Sequence, residues 1–249
     1  MKKLSIAGVL LCTLFSFSCK KTSSSETIFT SSSVVAYSGN MNSTLQTDQA
    51  GNPLQLVLNI DGSSISSLPS DANSRDTSFV VPLPQKAIDI TPFNFIEVDW
   101  NPHGHPPVGI YDIAHFDFHF YMVPKTEVDA AIDPIKLNTD PASDYLPASY
   151  ISGAPVPQMG KHWIDSNSPE MHNIPFTQTF VYGSYNGNVT FYEPMVTKAY
   201  LQNTLSFQRS IPQPAKVKKS GFYPTQISIT KLNNVTQIVL DQFVYRQGS

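Results

Sequence analysis

His115-Phe-Asp-Phe-His-Phe-Tyr-Met-Val123 (HFDFHFYMV) alternates without interruption. Successive side chains of a β-strand point to opposite faces. Phe116, Phe118, Phe120 and Met122 therefore share one face, and His115, Asp117, His119 and Tyr121 share the other. An aromatic face of this kind demands a core. The imidazole and carboxylate face demands water, a partner or a ligand.

The same period recurs on both sides. Within Phe93 to Trp100, Ile96, Val98 and Trp100 share a face opposite Glu97 and Asp99, which read as a solvated face. Leu54 to Ile60 is a further β-rich run. Phe176 to Met195 reads as a hairpin around Asn186-Gly187, a strong two-residue turn signal. A simple register pairs Tyr182 with Phe191 and Phe180 with Glu193. It predicts one apolar face of Phe180, Tyr182, Val189, Phe191 and Met195, with Glu193 among them. A second hairpin turns at Asn233-Asn234 and places Ile227, Ile229, Ile238 and Leu240 together. Thr126 to Ile132 and Val196 to Leu201 have helical character.

Turn residues separate these runs throughout, with 20 prolines and 12 glycines in 249 residues. Charged residues make up only 14%, which excludes a coiled coil or a helical repeat. A net charge of −3 excludes a nucleic-acid footprint. The expected fold is all-β, a single antiparallel barrel-like or sandwich domain with one or two short helices. The barrel is favoured, because a closed lumen could enclose the polar face of 115–123.

The N-terminus is organised differently. Met1-Lys2-Lys3 precedes an apolar run from Leu4 to Phe17, too short to span a bilayer and suited to a secretory signal. Ser16-Phe17-Ser18-Cys19 resembles a loose bacterial lipobox. That resemblance implies cleavage before Cys19 and its lipidation, hence a membrane partner and an envelope location. The expected organisation is a signal peptide at 1–18, a lipidated Cys and Ser-rich tether at 19–33, and one β domain at 34–249. Cys12 and Cys19 are the only cysteines, so the mature domain offers no thiolate ligand.

Histidine carries the functional signal. Four of six fall between positions 103 and 119. Imidazole is the commonest metal ligand, and a thiol-free site must use nitrogen and oxygen donors. The candidate ligands for a divalent metal, zinc first, are His115, His119, His162 and Glu193. Glu193 enters because a carboxylate on an apolar face is costly without a cation or a partner. His105, Asp117 and Asp165 are alternates or orienting groups. His103 reads as a loop residue and His172 as a turn residue. Three histidines and a glutamate match cupin-type metal sites in residue type, although the cupin spacing is absent. Hydrolysis, hydration or cupin-like chemistry would suit such a site. The competing reading is a non-catalytic homo-oligomer of the envelope with hydrated histidines. A barrel binding a small apolar molecule is a third.

Four segments together carry a wider resemblance: Gly104 to Asp112 (GHPPVGIYD), His115 to Val123, Met159 to Asp165 (MGKHWID) and Tyr182 to Leu201 (YGSYNGNVTFYEPMVTKAYL). They resemble a family of exported bacterial domains of unassigned function, typified by a Thermus protein under an envelope-stress sigma and anti-sigma pair. The resemblance implies a mostly β domain and a homo-oligomer. It implies no reaction.

Overall fold

Phe116, Phe118 and Phe120 are fully buried, and what they are buried against defines the architecture. The computed structural model describes residues 26–249, so Cys19 and the 1–18 leader lie outside the described residues. The strands are β1 (Thr27–Thr30), β2 (Val34–Ala36), β3 (Gly39–Thr47), β4 (Pro53–Asp61), β5 (Thr77–Pro82), β6 (Phe95–Asn101), β7 (His115–Tyr121) and β8 (Tyr150–Val156). They continue with β9 (Gly160–Asp165), β10 (Gln178–Tyr185), β11 (Asn188–Thr197), β12 (Ser206–Ser210), β13 (Gly221–Tyr223), β14 (Gln226–Leu232), β15 (Val235–Asp241) and β16 (Val244–Arg246).

They form two antiparallel sheets packed as a sandwich. The first runs β1-β3-β4-β15-β14-β12, with β2 also on β3. The second runs β5-β6-β7-β11-β10-β9-β8, and β13 and β16 make a small ribbon. Neither large sheet closes on itself, so the favoured barrel gives way to the sandwich. Among the described residues, five short α-helices connect the strands, more than the one or two expected, and none is long and apolar enough to cross a membrane. Within the stretch read as a tether, Thr27–Thr30 instead forms β1, paired with β3 from Thr27↔Thr47 to Thr30↔Thr44.

The interior between the sheets takes the apolar face of each strand. Leu56, Leu58 and Ile60 of β4 meet Val98, Trp100 and the β7 phenylalanines in one cluster. Ile227↔Leu240 and Ile229↔Ile238 pair as the second hairpin predicts. Each buried side chain of this size contributes about 1.5–3 kcal/mol, so this aromatic layer is the main anchor of the second sheet.

The Asn186-Gly187 turn also forms, with both residues at positive φ (51° and 75°) and Tyr185↔Asn188. The strand register beyond it differs from expectation. A bulge between Gly183 and Ser184 shifts the pairing to Tyr182↔Tyr192, Phe180↔Pro194 and Val181↔Glu193. One inserted residue moves every later side chain to the other face. Phe180 and Tyr182 thus face the core with Tyr192, while Phe191, Glu193 and Met195 turn to the outer face. Gly183 makes this possible: a Cβ there would lie 1.9 Å from Cζ of Phe191.

Phe191 cannot swing aside easily, because its ring is packed against those of His119, Tyr121 and His162 at 5.0, 5.2 and 5.4 Å. We expect Gly183→Ala to cost about 1–3 kcal/mol in urea unfolding, the usual penalty of overpacking. Unchanged stability would refute this account of the bulge.

Candidate metal centre

The polar face of β7 points away from the sandwich interior, yet His115 and His119 are fully buried and Asp117 is 4% exposed. A second cover explains this. Tyr111 and Phe176 from connecting segments pack on Val181 and Met195 at one end of the outer face. Val128, from the helix Lys125–Asp129, packs on Phe95, Tyr121 and Phe191 at the other. The ionisable row lies between these two apolar clusters.

The cover also buries Glu97 and Asp99, at 8% and 7% exposure. They are not the solvated face that alternation suggested. Asp99 sits opposite Asp117, and Glu97 opposite His119. The connecting segments that bury them lie far along the chain and carry no mark of their destination.

Two groups of donors emerge, each with its ligand atoms within 4.8 Å of one another. The first joins His119, His162 and Glu193 from β7, β9 and β11. Nε2 of His119 lies 3.5 Å from Oε1 of Glu193, and Nε2 of His162 lies 3.5 Å from Oε2. Donors about 2 Å from a tetrahedral ion stand roughly 3.3 Å apart, so this spacing suits a shared cation. Both ring nitrogens of His119, Oε2 of Glu193 and Oδ2 of Asp99 are buried without a well-aligned hydrogen-bond partner. Behind them, Oδ2 of Asp99 stands 2.9 Å from Nδ1 of His119, and the Ala154 carbonyl stands 3.2 Å from Nδ1 of His162. A carbonyl only accepts, so Nδ1 of His162 carries the proton and its Nε2 presents a lone pair to Glu193.

The second group joins His105, His115 and Asp117. His115 is therefore separated from the three candidates grouped with it from the sequence. Residues i and i+4 of a strand stand about 13 Å apart, and β7 stays too extended for His115 and His119 to converge. Asp165 is also placed elsewhere. It lies three residues from His162 and so faces the opposite way, where Arg209 approaches its Oδ2 at 3.9 Å. His103 is exposed and in neither group. His172 is exposed and meets the Ser166 carbonyl at 3.0 Å. Asp99 is the residue that sequence reasoning dismissed and the structure sets beside the donors. Asn101 is a further addition, donating to Oδ2 of Asp117 at 2.8 Å.

Electrostatics follow the burial. Burial pushes Glu193 up to about 8 despite the pull of His119. Burial alone would lower His119, but the Glu193 and Asp99 carboxylates raise it to about 10. Burial, reinforced by the neighbouring charge of His119, presses His162 down to about 4. Burial opposes ionisation of Asp117 as well, but His105 and His115 overcome it and hold the carboxyl well below its usual range. Burial disfavours His105 charging too, and Asp117 reverses that, raising it to about 9.

No protein-family model, curated protein or solved structure matches the chain, so the functional argument rests on this geometry.

Without a metal, the raised groups stabilise the fold only while protonated. The Glu193 contribution is lost as pH climbs from its ordinary 4.5 through about 8, and the His119 contribution between 6.5 and about 10. Chelator-treated protein should therefore show a Tm that falls steadily from pH 7 to 10 in differential scanning fluorimetry. A flat or rising Tm across that window would contradict these assignments.

Proposed function

We propose that this protein is a divalent-metal-binding domain, exported and held at the cell envelope by a lipid on Cys19. The observation that carries the metal reading is the convergence of His119, His162 and Glu193, whose Nε2 and carboxylate atoms meet at 3.5 Å. Two of those donor atoms are buried with no hydrogen-bond partner. Zinc is the favoured ion, since two imidazoles and a carboxylate form a borderline donor set. Three protein donors leave a coordination position open, and a cation there would supply Lewis-acid chemistry for hydrolysis or hydration.

The chain's own residues have clear tasks in this reading. Asp99 stands 2.9 Å from Nδ1 of His119, placed to orient that ring, while the Ala154 carbonyl accepts from Nδ1 of His162 and fixes its tautomer. Phe191 packs on both rings and limits their rotation. The envelope location is supported by the basic start, the 4–17 apolar run and the lipobox-like Ser16 to Cys19.

Protein expressed without a histidine tag should carry stoichiometric metal by elemental analysis. Glu193→Gln should abolish binding at this site, and Asp99→Asn should weaken it roughly 10–100-fold by orienting effects alone. Metal content indifferent to Glu193→Gln would reject the site. A metal-free protein of defined oligomeric state by light scattering would favour the structural homo-oligomer instead.

The anchor is tested separately. In bacteria, the wild-type chain should partition into the detergent phase of Triton X-114, and Cys19→Ser should move it to the aqueous phase. Equal partitioning of both would remove the lipid from the proposal.

A further inference from the structure

A second, independent set of polar atoms remains unsatisfied outside the His119 group. Nε2 of His115 and Oδ1 of Asp117 are buried without a hydrogen-bond partner, although they stand only 3.1 Å apart. Nδ1 of His115 lies 2.6 Å from the Ile113 carbonyl, which can only accept. The ring proton is thus committed to Nδ1, and Nε2 turns a lone pair toward a carboxylate. The other oxygen of Asp117 meets Nε2 of His105 at 3.2 Å, and Nδ1 of His105 is likewise turned to a carbonyl, that of Pro106, at 2.8 Å. Two imidazole rings and one carboxylate converge, and although the Asn101 amide donates to Oδ2 of Asp117 at 2.8 Å, no donor satisfies Oδ1.

Protons answer this poorly. One proton on His105 satisfies the contact to Oδ2 and leaves His115 facing Oδ1. Protonating both rings sets two imidazolium ions, 4.7 Å apart centre to centre, against a single carboxylate. At that separation, in a buried setting, like charges repel strongly. A single cation satisfies all three side chains at once.

We propose that His105, His115 and Asp117 form a second divalent-cation site, separate from the His119 group and closed by the segment that carries His105. The two sites differ in how they are built. His119, His162 and Glu193 all come from paired strands of one sheet. His115 and Asp117 are on β7, but His105 comes from the segment joining β6 to β7, and its side chain is 36% exposed. Backbone contacts hold it there: the His105 amide donates to the Tyr111 carbonyl at 3.1 Å. Gly104 beside it has φ +68°, and a Cβ would lie 2.1 Å from that same carbonyl oxygen. A ligand on a connecting segment departs more readily than one on a sheet. The second ion therefore exchanges faster than the first. The inference stands on its own donors and does not require the first site to be occupied.

Native mass spectrometry of the untagged protein with added Zn2+ tests both points. Wild type should take up two ions, and removal by a chelator should show a fast and a slow phase. His105→Ala, at a half-exposed position, should keep the fold, bind one ion and lose the fast phase. Gly104→Ala should weaken the same phase through the backbone, leaving every ligand in place. Glu193→Gln should instead lose the slow phase. Uptake of two ions by His105→Ala, or a wild type that binds one ion lost only through Glu193→Gln, would overturn the second site while sparing the first. Loss of one ion with His105→Ala and none with Glu193→Gln would do the reverse.

Discussion

A row of carboxylates and imidazoles is removed from water on the outer face of one sheet, and the arrangement around it follows from that desolvation. Asp99, Asp117 and Glu193 are each under 10% exposed, and His115 and His119 are fully buried. Buried charge costs several kcal/mol per ion unless it is matched closely. The row must therefore collect positive charge, from protons or from a cation. Burial raises Glu193, and the Glu193 and Asp99 carboxylates raise His119, the direction expected where protons supply that charge. The incompleteness of that supply shows in the donor atoms that still have no partner.

The same strands serve two purposes because a strand has two faces. Phe116, Phe118 and Phe120 lock β7 into the sandwich core, and that packing fixes where His115, Asp117 and His119 project. A site supported this way gains precision from burial that involves none of its own ligands. The bulge at Gly183 extends the logic to β11. Without that shift, Glu193 would point into the aromatic core beside Phe180, where no imidazole could reach it. With it, Glu193 faces outward beside His119 and within reach of His162, and Phe191 turns outward to pack beside both rings.

What could be read from the sequence was local. The alternation in 115–123, the Asn186-Gly187 turn and the Asn233-Asn234 hairpin are all short-range signals, and each is present in the fold. Glu193 stood out because a carboxylate among apolar neighbours is anomalous in any register. The i,i+2 spacing of Asp117 from His115 was legible, but the other partners depend on strand order and on residues distant in the chain. His115 and His119 look like a pair in sequence but stand too far apart along an extended strand. Asp117 lies beside His115 on β7, but His105, His162 and Glu193 arrive from other elements. Glu97 and Asp99 were misread for a related reason. Alternation identifies the face opposite the core but cannot say whether distant segments will fold back over it.

That second cover packs apart from the sandwich core. The aromatic core between the sheets and the two outer clusters share no buried residue, so each is a distinct packing unit. Loosening Tyr111, Phe176 or Val128 from the outer face would admit water to the ionisable row without disturbing Trp100 or the β7 phenylalanines. Each donor group also includes one histidine less buried than its partners, His105 at 36% and His162 at 17% side-chain exposure. Exchange with solvent is therefore easiest at these rings, while the carboxylates remain behind them. A closed barrel lumen would have tied access to opening of the core. An outer face beneath connecting segments ties it to local motions, which cost much less than unfolding the sandwich.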